Sequence, residues 1–112
     1  MANQVDDYET PVLFRCSRRK EPEGLAASVT AVFPAEPADL EGRTMTCYAR
    51  VGQHGACSGD WLATTRPATP AEYADLMCEL ESIGYRLKVY ARRTRQHREA
   101  FNAQIRVWRE RG

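Results

Sequence analysis

Gln53, His54, Cys57 and Asp60 place an amide, an imidazole, a thiol and a carboxylate within eight residues. Those types can make a nucleophile and base pair or, with Cys47 added, a small set of soft metal ligands. The spacing gives neither idea support, because the four cysteines (Cys16, Cys47, Cys57 and Cys78) form no C-x-x-C pair. Gly52, Gly55 and Gly59 fit neither phosphate-loop pattern. His54 between Gln53 and Gly55 can equally brace a turn through the backbone. Residues 53–60 are therefore the candidate loop for an enzyme or a metal site. The reading preferred against it is that the chain has no catalytic motif, no metal and no cofactor.

Charge offers a second chemistry. The net charge of +1 conceals a split: residues 1–85 hold seven Lys+Arg against thirteen Asp+Glu, and residues 86–112 hold nine against two. Such asymmetry points to a charged partner for the C-terminal part, a nucleic acid or an acidic protein. Arg86, Lys88 and Tyr90 alternate with apolar residues and share a face, beside Tyr48 and Arg50 of a neighbouring strand. Cations and aromatics on one sheet face can neutralise phosphates and stack bases. Arg92, Arg93, Arg95, Arg98, Arg106 and Arg109 extend the basic set along the last segment. Phe101, Ile105 and Trp108, spaced by four and three, make an apolar stripe on the same helix. That stripe is a candidate helix interface, packed on the chain's own sheet, on a second copy in a homodimer, or on another protein. His97 stands one turn before Phe101, at the edge of the stripe.

These groups need elements to hold them. Residues 12–16 and 27–33 read as strands, the second stopping at Pro34, with a charged connection over 17–24 between them. Residues 34–42, with two prolines and three acids, read as a surface loop. Residues 44–51 alternate as a third strand, residues 53–60 as a turn-rich loop, and residues 61–65 as a short edge strand. Thr69, Pro70 and Glu72 spell a helix start, and Tyr73, Leu76, Met77, Leu80 and Ile83 an apolar face, so the spacing predicts a helix over 70–83 ended by Gly84. Residues 85–91 form a fourth strand with Tyr85, Leu87, Val89 and Ala91 inward, and residues 94–111 a second helix. The class is α+β, a mostly antiparallel sheet of about four strands with one packed helix and a C-terminal basic helix, in the order β-β-β-α-β-α. The expected domains are an arm over 1–10, the α+β domain over 11–91, and a basic helix over 92–112, docked or free.

A chain of 112 residues fits one domain with one core, and 43% apolar with 28% charged residues is an ordinary globular composition. No apolar run approaches the roughly 20 residues of a spanning helix, so no membrane is implied. The start lacks the basic flank and apolar stretch of a secretion signal, and a cytoplasmic location with reduced thiols is expected.

Residues 31–34 (AVFP), 47–55 (CYARVGQHG), 65–73 (TRPATPAEY) and 79–89 (ELESIGYRLKV) together resemble a group of small uncharacterised proteins of bacterial genomes, prophages and mobile elements. The resemblance covers residues 12–90. It implies kinship and a mobile-element context and assigns no activity; a mobile-element protein acting on a host complex is an alternative reading of the C-terminal helix interface. The basic segment after Arg92 lies outside it.

Overall fold

A computed structural model describes residues 9–18, 28–49 and 54–111. Most of the arm expected over 1–10, most of the connection over 17–24, and both Arg50 and Gln53 lie outside the described residues.

The sheet grows around β1 (Thr10–Ser17). This strand is buried continuously from Val12 to Cys16. Unbroken burial means that both faces are covered, in contrast to the alternation of a half-solvated strand. It pairs antiparallel with β2 (Val29–Pro37), which pairs with β3 (Thr44–Tyr48), which pairs with β4 (His54–Ser58). On its other edge β1 meets two short strands in succession. β6 (Leu87–Val89) runs parallel to Thr10–Val12, and β5 (Thr65–Pro67) runs antiparallel to residues 15–17. Among the described residues the result is a six-stranded, mostly antiparallel sheet, ordered β4-β3-β2-β1-β5 with β6 sharing the β1 edge.

One face carries α2 (Pro70–Ser82), whose Leu76 and Leu80 pack with Val12, Phe14, Phe33 and Tyr48. The helix begins as its residues require. The Thr69 hydroxyl accepts from the Glu72 amide at 3.3 Å, and the Glu72 carboxylate accepts from the Thr69 amide at 2.9 Å. Glu72 also accepts two bonds of 2.8 Å from the Arg66 guanidinium, which with the cap holds its carboxyl down to about 2. Gly84, at φ +111°, takes the chain out of the helix in a conformation open to glycine.

The opposite face carries α3 (Arg95–Arg111), whose Phe101 and Ile105 pack with Leu13, Val32, Met45 and Cys57. The α+β class and the C-terminal helix stand as read from sequence, and that helix is docked on the sheet. Between β2 and β3 the Asp39 carboxylate closes the turn, accepting from the Arg43 amide at 2.9 Å and the Thr44 hydroxyl at 2.6 Å. Gly42, at φ +75°, lies under the helix, where a Cβ would stand 2.9 Å from Ile105 Cδ1.

Four boundaries differ from the sequence reading. β2 continues through Pro34 to Pro37, because a bulge moves the pairing from Phe33↔Thr46 to Pro37↔Met45, and inside it no ladder amide is needed from Pro34. Residues 54–58 form strand β4 in place of a loop. Residues 59–63 form a short helix, α1 (Gly59–Ala63), in place of an edge strand, because the Ser58 hydroxyl caps the Trp61 amide at 3.0 Å. The strand expected over 85–91 is reduced to β6, with its Val89 exposed.

Candidate functional site

The residues of the proposed loop site are separated by the fold. On β4, His54 faces Tyr48 across the ladder and Cys57 faces Met45. An odd spacing on a strand sends two side chains to opposite faces. His54 accordingly lies edge-on to the Tyr48 ring on the α2 side, at 4.7 Å, while Cys57 packs in the cluster under α3. Asp60 is in the first turn of α1. Cys57 and His54 are therefore no nucleophile and base pair, and burial pushes the Cys57 thiol up to about 12, away from the thiolate that a nucleophile needs. Among the described residues no three His, Cys, Asp or Glu groups converge as metal ligands.

The basic aromatic sheet face is not assembled either. Tyr48 is 1% exposed and bonds through its hydroxyl to Glu79 of α2. Tyr90 turns under α3, where its ring stands perpendicular to that of His97 at 4.4 Å and packs against the Leu13 cluster. Tyr48 is core and Tyr90 half-buried, because helices cover both sheet faces and alternation no longer separates core from solvent. Lys88 reaches over the Tyr90 ring at 5.7 Å, and Arg86, Lys88 and Arg92 are exposed.

Arg93 departs from the basic set for a different reason. Its guanidinium lies 4.6 Å over the Phe101 ring and its Nε donates to the Pro34 carbonyl at 3.1 Å, so it pins α3 to β2. Burial, with Arg98 nearby, makes its proton easier to lose than that of an ordinary guanidinium.

What remains is a coherent surface on α3. Arg95, Arg98, Arg106 and Arg109 are all exposed. At 3.6 residues per turn they fall within about 80° of arc and along about 21 Å of helix. Arg95 is paired with Glu99 at 3.2 Å, both exposed, and such a pair holds its partners weakly. Arg109 donates to the Leu40 carbonyl at 2.8 Å, fixing the far end of the stripe. The apolar stripe beside it is occupied: Phe101 and Ile105 are 5% and 7% exposed within the chain's own core. For these two residues the stripe takes the first of the three packings it allows, on the chain's own sheet. Trp108 is half-buried and lines a cavity of about 510 Å³ with Ala100, Gln104 and Pro37.

The start of α3 is set by a cap that sequence inspection passed over. The Thr94 hydroxyl accepts from the His97 amide at 3.2 Å, and His97 Nδ1 accepts from the Thr94 amide at 3.0 Å. Histidine here performs the task of glutamate in a capping box. The bond requires a bare Nδ1, so the neutral ring, and burial together with Arg93 lowers the His97 pKa below its usual value. In the unfolded chain the ring protonates first as pH falls, so the unfolded state binds more protons and stability drops. The contribution is complete above about pH 6.5 and is lost as pH falls from there through the lowered folded value. Denaturant midpoints measured between about pH 8 and pH 5 are expected to fall more steeply in the wild type than in His97→Gln, whose amide can cap without titrating. Parallel curves would remove the cap from the account.

Comparison with known proteins finds no matching family, curated protein or solved structure.

Proposed function

We propose that the protein is a non-enzymatic module that binds the phosphate backbone of a nucleic acid through the exposed arginine stripe of α3. The observation that carries this reading is the stripe itself. Four guanidinium groups share one flank of a helix whose other flank is locked into the core, so they are presented without the entropy of ordering the helix on binding. Arg92 extends the field beyond the start of the helix. Phosphate neutralisation is the chemistry offered, and base stacking is not part of it, since Tyr48 is buried and the half-buried Tyr90 ring is engaged by His97 and Lys88. Contacts of this kind position a protein on a backbone without reading sequence. A cytoplasmic chain of mobile-element origin, acting on nucleic acid or on a host complex that contains it, fits the reading.

The test is binding to labelled single- and double-stranded DNA and RNA across a salt series. Four phosphate contacts on duplex DNA give a slope of log K against log salt of about −3.6, or roughly a hundredfold loss between 50 and 200 mM. Changing Arg95, Arg98, Arg106 and Arg109 together to Gln is expected to remove most of that slope. No binding at low salt, or binding that keeps its slope in the variant, sinks the proposal. Displacement by polyglutamate with no binding to any nucleic acid transfers the surface to an acidic protein.

A further inference from the structure

The strands β3 and β4 bring together two thiols that lie ten residues apart in the chain. Cys47 stands opposite Gly55 and Cys57 opposite Met45, so the two cysteines are diagonal neighbours on the α3 side of the sheet. Each thiol acts on the proton of the other, as near neighbours do. Both line a cavity of about 460 Å³ whose wall includes Thr30, Thr44, Ala56 and Trp61. Cys57 is buried and Cys47 half-buried, so the first sulfur is deep and the second leads toward the opening.

Diagonal positions on an antiparallel pair have Cα atoms about 7–8 Å apart, beyond the usual 4.4–6.8 Å span of a disulfide. A direct S–S bond therefore requires the strands to shift. A bridging ion does not, since two metal–sulfur bonds of about 2.3 Å each fill the extra distance. Two sulfurs on which no third His, Cys, Asp or Glu converges among the described residues suit an ion content with two soft ligands. Two thiolates and one monovalent cation leave a net negative charge in the apolar site. The Arg93 guanidinium, whose charge acts on Cys57, is placed to balance it.

We infer that Cys47 and Cys57 form a two-sulfur site for a soft monovalent metal ion of the copper(I) class, bridged between β3 and β4. Binding breaks two S–H bonds and forms two S–metal bonds. Both protons pass to solvent, and neither sulfur nor metal changes oxidation state. The burial that keeps the free thiols protonated opposes this step, and the strength of thiolate bonding to a soft ion drives it. The site is separate from the arginine stripe and stands or falls independently of it.

The test uses the reduced full chain and silver(I) as a redox-inert probe. One equivalent is expected to resist a competing chelator and to protect Cys47 and Cys57 together from alkylation, read by peptide mass spectrometry, while exposed Cys78 still reacts. The protected equivalent is expected to survive Cys78→Ser and to vanish in Cys47→Ser and in Cys57→Ala. The alkylation pattern of the unmodified chain decides the matter should either variant fold poorly. No protected equivalent, or protection that tracks Cys78 or Cys16, overturns the inference.

Discussion

Phe101→Ala is expected to lower the unfolding free energy by about 3–5 kcal/mol, the range for deleting a well-packed aromatic side chain. The ring is almost fully buried between α3 and the sheet, touching the cluster that contains Leu13, Val32 and Met45. Its removal also takes the surface on which the Arg93 guanidinium rests, so one substitution loosens both the apolar seam and the cation that pins it. Urea unfolding gives the comparison directly, with Val107→Ala as the control. Val107 is 41% exposed on the same helix and should change stability by only about 0.5 kcal/mol or less. A loss below about 1 kcal/mol at Phe101 would mean that α3 does not depend on this seam, and the fixed presentation of the arginine stripe would fail with it.

Arg15→Met is expected to cost about 2–4 kcal/mol, from the loss of charge-assisted hydrogen bonds inside the protein. Arg15 is 9% exposed in the middle of β1. Its Nε donates to the Thr65 hydroxyl at 2.9 Å, Nη2 to the Thr65 carbonyl at 2.8 Å, and Nη1 to the Ala91 carbonyl at 3.0 Å. One guanidinium thus ties β1 to β5 and to the link between β6 and α3. Methionine matches the stem and leaves the Ala91 carbonyl without this donor. Lysine keeps the charge but has no planar fork to reach both carbonyls, so Arg15→Lys should recover less than half of the loss. Denaturant midpoints for both variants check this. Equal stability of the lysine variant and wild type would show that charge alone, and not the fork, is what the site requires.

Local chemistry was the most readable part of the sequence. Thr69, Pro70, Glu72 and Gly84 announce α2 because capping and the left-handed exit are decided by a few adjacent residues. The misreadings share one cause. Alternation separates core from solvent only in a sheet with one wet face, and here helices cover both. Tyr48 and Tyr90 therefore alternate onto the expected outer face, yet Tyr48 is core and Tyr90 is half-buried against the Leu13 cluster. The apolar Val12-Leu13-Phe14 triplet of β1 carries the correction, as consecutive apolar residues without alternation are what a central, twice-covered strand looks like. Residues 54–58 were assigned to a loop on their glycines, and that hid the Cys47 and Cys57 pair, which becomes visible only when the two strands are laid antiparallel. Ser58 before Gly59 and Asp60 was a legible helix start that the neighbouring Trp61 and Thr65, good strand formers, obscured. Arg15 and Arg93 could not be told from surface cations, because their partners are carbonyls distant in sequence.

The edge of β1 that β5 and β6 share has a consequence for the nascent chain. Thr10 meets Leu87, 77 positions later, so the first strand to leave the ribosome waits for one of the last. At about 5–20 residues per second that wait is roughly 4–15 s. β5 arrives earlier and closes the half of the edge at residues 15–17, and the Thr10–Val12 half stays open until β6 is made. During synthesis the unpaired amides beside Val12 are thus a template for strand addition by a neighbouring chain, and crowded polysomes are where this protein is most exposed to misassembly.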